Sequence, residues 1–267
     1  MEPDAIVNIL LSLVVLALFI LTTLKLFLRM RNTKLKNLGW LVGFFISSSV
    51  IGISKAAGAT ATGASFIIFE LMFYILEFLS LAFLIMFTKE TFYKNQKGSF
   101  KIILTTAIAL SVSSFIFAFL RVIGYSVVFS DMFYLFDVFL MSLTIFIAAF
   151  WNASASFSAY NLIREENIDK NIKLRYKILG LTAVIFALQG FFAPLHTIIR
   201  ITDPAGIYEL TSTFYTFINV ITLLIFAAGN FYAWISLGSK IDKAEKAKSP
   251  TVSISEEEIM KLAKAEG

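Results

Sequence analysis

The sequence contains no cysteine and only one histidine. The absence of cysteine excludes disulfide bonds, thiolate zinc sites, iron–sulfur clusters and cysteine nucleophiles. A single histidine excludes a bis-histidine haem and any multi-histidine metal site made by this chain alone. The motifs of dinucleotide-binding loops, Walker loops, zinc proteases and α/β-hydrolases are also missing. We therefore expect no cofactor, no metal and no catalytic residues, and we predict that the protein is not an enzyme.

Charged residues are scarce as well. They make up 15% of the chain, and hydrophobic residues make up 58%. Soluble domains have about 25% charged and about 45–50% apolar residues, so this composition excludes a water-soluble globular protein. The apolar runs are long enough to cross a bilayer as helices, which takes about 20 residues, and they lack the alternation of membrane strands.

We predict an all-α, multi-pass integral protein of the cell membrane, with a seven-transmembrane-helix bundle over residues 1–238 and a tail over 239–267. The predicted spans are 5–29, 38–54, 66–88, 102–123, 132–158, 178–200 and 213–238. No lysine lies in the interior of the seventh span, which excludes a retinal Schiff base there.

The basic residues predict an orientation for these spans. Twenty of the 23 Lys and Arg lie around the first, third and fifth connections and in the tail, while Lys55, Arg121 and Arg200 lie toward the other side. Because basic residues concentrate in cytoplasmic loops, we predict an N-terminus outside and a C-terminus in the cytoplasm. The basic groups then act as topology determinants facing anionic lipid headgroups, and no nucleic-acid partner is needed to explain them.

The tail carries one helix signal. Ser255 and Glu258 have capping-box spacing, which predicts a short amphipathic helix over about 255–266. Such a short helix is marginal alone in water, so Ile259 and Leu262 are predicted to dock on a cytoplasmic partner protein. The alternatives are docking on the protein's own loops and a frayed tail.

Ionisable groups inside spans are the main functional candidates, because burying them in hydrocarbon is expensive. Counting helix rise from the span ends places these groups and neighbouring polar residues in the outer half of the bundle. Spacings of seven and four residues put Glu70 with Glu77, and His196 with Arg200, on shared helix faces. The predicted ligand-binding residues are Glu70, Tyr74, Glu77, Asp137, Gln189, His196, Arg200 and Asn219. The inner half has amides and hydroxyls but no clear buried charge, so we predict a polar cavity open to the outside.

Each candidate also has a structural interpretation. Arg121 and Arg200 extend to headgroups in one alternative, and in another they form ion pairs with Glu70 and Asp137 that fix helix positions. Glu77 is either a ligand or proton site or a neutral structural carboxyl. Pro194 is predicted to kink the sixth span and act as a hinge, or to be a static packing feature.

A short pattern recurs in three spans. Phe73-Tyr74 precedes Glu77, Phe133-Tyr134 precedes Asp137, and Phe214-Tyr215 precedes Asn219 one position out of register. The pattern indicates either duplicated helical hairpins or a chance match in a Phe-rich chain.

Three functions fit these features. The first is a sensor or receptor-like protein that signals through a separate partner. The second is a small-solute or proton-coupled transporter, and the third is a non-catalytic subunit of a membrane complex.

Overall fold

The computed structural model describes residues 3–58, 63–93, 98–124, 130–202 and 208–241. These residues form seven α-helices, which confirms the predicted all-helical fold for this part of the chain. The helices are α1 (Pro3–Thr33), α2 (Leu38–Gly58), α3 (Ala64–Phe92), α4 (Gly98–Val122), α5 (Ser130–Ile163), α6 (Lys170–Thr202) and α7 (Tyr208–Phe231). The seventh helix continues through a π-helical turn at Tyr232–Ser236 and is helical as far as Ile241, the last residue described. The predicted tail helix, with Ile259 and Leu262, lies outside the described residues.

Six of these helices are long and apolar enough to cross a membrane by length and composition, and α2 has a shorter apolar stretch, Leu38–Ser54. Each predicted span overlaps one helix, but most helices are longer than the spans. The helix α6, for example, begins at Lys170 rather than at 178. Hydropathy marks only the apolar part of a helix, whereas backbone hydrogen bonding continues into polar residues at its ends.

The helices α1, α2, α3, α5, α6 and α7 form a closed ring, in which α7 packs back against α1. The helix α4 lies outside this ring, against α3 and α5. Aromatic rings fill the middle of the bundle: Phe186 and Phe226 stack with centroids 4.5 Å apart, and Phe44 meets Phe226 edge-on at 5.7 Å. Many large apolar side chains on the outer surface are exposed, among them Ile102 at 70% and Phe214 at 64%, as expected of helices that face lipid.

Successive helices are joined by short connections, so neighbours alternate in direction. The ends of α2, α4 and α6 and the starts of α3, α5 and α7 therefore lie together. This end of the bundle contains a cavity, and we call it the cavity end. The other end of the bundle is called the opposite end.

Two arginines at the opposite end are buried. Arg29 is 8% exposed and Arg175 is 2% exposed. Arg29 Nη1 donates to the carbonyl of Trp234 at 2.6 Å, and Arg175 Nε donates to that of Ala233 at 3.1 Å. The Arg175 guanidinium also lies 5.2 Å from the Trp234 ring. The sequence interpretation is therefore wrong for these two residues: this half does hold buried charge, and they bind helix carbonyls rather than facing headgroups.

The acceptors of both arginines belong to the π-helical turn. In this turn the N–H of Leu237 bonds to the carbonyl of Tyr232, five residues earlier. A π turn shifts the register of helical hydrogen bonds, and the guanidiniums supply donors to the carbonyls at the shift. Charged side chains from α1 and α6 thus hold the last turns of α7.

Candidate ligand-binding cavity

A cavity of about 460 Å³ lies at the cavity end. Its walls come mainly from α3, α5, α6 and α7, and Ser54 of α2 completes them. Small-molecule sites in proteins have volumes of about 300–1,000 Å³, so the cavity is large enough for a small organic ligand.

Six of the eight predicted ligand-binding residues line this cavity. They come from three helices and are Glu70, Tyr74, Glu77, Gln189, His196 and Asn219. On α3, the spacing of three to four residues places Glu70, Tyr74 and Glu77 on one helix face, and that face is turned toward the cavity. Asp137 and Arg200 are not among the lining residues.

Asp137 does not line the cavity. Its carboxylate is bound by an arginine of α4. Arg121 Nε donates to Asp137 Oδ2 at 3.1 Å, and Arg121 Nη2 donates to Glu70 Oε1 at 2.8 Å. The Asp137 side chain is fully buried, at 0% exposure. Of the alternatives left by the sequence, the ion pair therefore describes Arg121, Glu70 and Asp137, and it joins α3, α4 and α5.

Arg200 is exposed at the rim of the cavity. Its guanidinium lies 4.7 Å from the centroid of the Tyr134 ring, and the Arg121 guanidinium lies 5.0 Å from the same centroid. Both distances are within the range of cation–π attraction. Two guanidiniums, one from α4 and one from α6, therefore lie over the ring of Tyr134.

The side of the cavity formed by α6 and α7 is held by two contacts between these helices. The rings of His196 and Tyr215 stack with centroids 4.3 Å apart and planes 8° apart. Nearer the bundle centre, Gln189 Nε2 donates to Asn219 Oδ1. Gln189 and Asn219, both predicted, therefore contact each other as well as lining the cavity, and His196 contacts a tyrosine that was not predicted.

Pro194 lies inside α6, which is continuous from Lys170 to Thr202. Proline removes the N–H that would bond to the carbonyl of Gly190. At Gly190 the helices α5 and α6 approach closely, because a Cβ there would lie 2.6 Å from the Ser142 carbonyl oxygen. The predicted kink and hinge at Pro194 stay a prediction.

Sequence reasoning missed two tyrosines that line the cavity, Tyr134 and Tyr215. The signal for them was present, since each follows a Phe in the recurring Phe-Tyr pattern. All three tyrosines of that pattern reach the cavity. Met141 and Ser142 were missed too, and their residue types are too common in apolar helices to single them out.

The chain matches no protein-family model, no curated protein and no solved structure.

Proposed function

We propose that this chain is a multi-pass membrane sensor of the receptor-like kind, whose cavity binds a small solute and which signals through a separate partner. One observation carries the proposal: polar side chains predicted from three spans line a single cavity in one half of the bundle. A solute there contacts α3, α5, α6 and α7 at once. Binding to such a site biases the packing of those helices.

We further propose that the cavity faces the exterior of the cell. The distribution of lysine and arginine supports this orientation, because the connections at the cavity end have few of them. The opposite end, with the tail, is then the cytoplasmic side on which a partner reads the helix packing.

The packing below the cavity favours sensing over transport. A transporter needs polar groups that continue past the midplane, and transporter folds commonly have broken helices there. Here the aromatic cluster of Phe44, Phe186 and Phe226 fills the centre of the bundle. The amide of Asn152, toward the opposite end, donates to Thr88 at 2.8 Å, so it serves a helix contact.

Thermal unfolding of the purified protein with a panel of amines, carboxylic acids, amino acids and sugars tests the proposal. Ala193→Phe places a phenyl ring inside the cavity and narrows it, and Ala109→Phe adds the same ring at an exposed position of α4. We expect some solutes to raise the Tm of the wild type and of Ala109→Phe but not that of Ala193→Phe. Equal shifts in all three proteins would place binding outside the cavity and overturn the proposal.

Flux measurements in proteoliposomes separate sensing from transport. We expect the stabilising solutes to show no saturable uptake. Saturable uptake that disappears in Glu77→Gln would instead identify a transporter with Glu77 as the coupling carboxylate.

A further inference from the structure

We infer that the solute bound in this cavity is an organic cation, with an ammonium head and an apolar body. This inference rests on the proposed function, because it names the class of ligand for the same cavity. Three properties of the cavity lead to it: the sign of its charges, its aromatic lining and the placement of its two carboxylates.

The charges of the lining favour a cation. Glu70 and Glu77 both line the cavity, and the described lining residues include no lysine and no arginine. The Arg121 guanidinium is shared between Glu70 and Asp137 at 2.8 and 3.1 Å. This triad has a formal charge of minus one when both carboxylates are ionised. Adding Glu77 and Arg200 to the count leaves a formal net charge of minus one, which favours a cationic over an anionic solute.

The aromatic lining favours a cation for a separate reason. Six aromatic side chains line the cavity: Phe66, Phe69, Phe73, Tyr74, Tyr134 and Tyr215. The face of an aromatic ring is negative and attracts ammonium groups, most strongly where water is excluded. The ring of Tyr134 is already engaged by the guanidiniums of Arg121 and Arg200, which lie over it at 5.0 and 4.7 Å, so the other five rings are the ones that can receive the ligand's ammonium group.

The placement of the carboxylates gives the ligand a direction. Glu70 and Glu77 are seven residues apart on α3, which corresponds to about 10 Å along the helix axis. Tyr74 lies between them on the same face. An ammonium head fits along this face, and the apolar body then packs against Met141 and Ile145 across the cavity.

A series of compounds with one body and three charges tests the inference. Phenethylamine is the cation, phenethyl alcohol the neutral compound and phenylacetate the anion, while choline supplies a quaternary head. Each is titrated into the purified full chain, and both the Tm and the affinity are measured. We expect phenethylamine and choline to stabilise the protein, phenethyl alcohol to bind at least about tenfold more weakly, and phenylacetate to have no effect.

The carboxylates are tested with matched variants. Glu77→Gln and Glu70→Gln should each weaken the binding of phenethylamine by about tenfold without changing the affinity for phenethyl alcohol. Glu90→Gln on the same helix is the control, because Glu90 is paired with Lys89 at the opposite end and should leave both affinities unchanged. If Glu77→Gln does not fold, Glu70→Gln supplies the same comparison, and Glu77→Asp, which keeps the charge, should still bind phenethylamine more tightly than phenethyl alcohol.

The two possible failures are distinct. Binding of the alcohol or of phenylacetate as tightly as of the amine, or no binding of either ammonium compound, overturns the cationic ligand. Solutes of another class that stabilise the wild type but not Ala193→Phe would then leave the sensing function standing. The sensing function itself fails when no solute distinguishes the wild type from Ala193→Phe.

Discussion

At the cavity end, Arg121 contacts residues of two neighbouring helices, α3 and α5. Its guanidinium lies on α4, and it binds Glu70 of α3 and Asp137 of α5 while also lying over the Tyr134 ring. Ser114, also on α4, donates to the backbone carbonyl of Asp137 at 2.8 Å. The peripheral helix α4 is therefore joined to the ring of helices through the carboxylate and backbone of one fully buried aspartate.

Removal of Arg121 should destabilise the protein strongly. Arg121→Ala leaves the carboxylate of Asp137 buried without its guanidinium, and breaking a buried pair on one side costs about 3–5 kcal/mol. We expect a clear fall in the Tm of the purified protein. Adding Asp137→Asn to Arg121→Ala should restore part of the loss, because the amide carries no charge that needs compensation.

Arg200→Ala is the matched control for Arg121→Ala. It removes a guanidinium over the same tyrosine ring, but Arg200 is exposed, and a cation–π contact at an exposed site contributes only about 0.5–1 kcal/mol. A loss in Arg200→Ala as large as that in Arg121→Ala would show that the buried ion pair is not the source of the stability.

The π-helical turn of α7 is the most unusual element of the bundle. Arg29 from α1 and Arg175 from α6 donate to its carbonyls at Trp234 and Ala233. Gly238 lies just beyond the turn, where a Cβ would come within 1.4 Å of Arg29 Nη1. The Arg29 guanidinium can therefore occupy this position only because residue 238 has no side chain.

Gly238→Ala should displace Arg29 from the turn. Loss of a hydrogen bond made by a charged group costs about 1.5–3 kcal/mol, and this cost exceeds the gain of about 1 kcal/mol from replacing glycine by alanine in a helix. We expect a lower Tm. Gly52→Ala on α2 is the control, because nothing lies within 4 Å of a Cβ there, and this variant should be as stable as the wild type or more stable. A Gly238→Ala protein that matches Gly52→Ala would contradict the role assigned to Arg29.

The sequence did not reveal this element, for a physical reason. Arg29 and Arg175 belong to the basic residues near one end of the helices, and counting charges records their position along the helix but not the direction of the side chain. A guanidinium near a helix end reaches either headgroups or a neighbouring carbonyl. Which of the two it reaches depends on the packing of α1, α6 and α7, and this information is not contained in any single span.

At the scale of the whole molecule, the helices themselves could be predicted because apolar runs in hydrocarbon must satisfy their backbone hydrogen bonds internally. The order of the helices could not be predicted. Lipid and neighbouring helices are equally apolar, so hydrophobicity does not tell a lipid-facing side from a packed one. The cavity residues could nevertheless be predicted in part, because the cost of burying Glu77 or His196 makes such residues turn toward a polar interior. Tyr134 and Tyr215 carry no such cost and were missed.

The predicted orientation of the protein in the membrane can be tested by labelling introduced cysteines. The chain contains no cysteine, so a single introduced cysteine is the only thiol of this chain that a maleimide can label. Asp131 is exposed at the start of α5, at the cavity end, and Glu166 is exposed beyond the other end of the same helix. If basic residues set the orientation, an impermeant maleimide added to intact cells should label Asp131→Cys at once. It should label Glu166→Cys only after the membrane is permeabilised. The reverse pattern would place the cavity on the cytoplasmic side, where it would bind a solute from inside the cell.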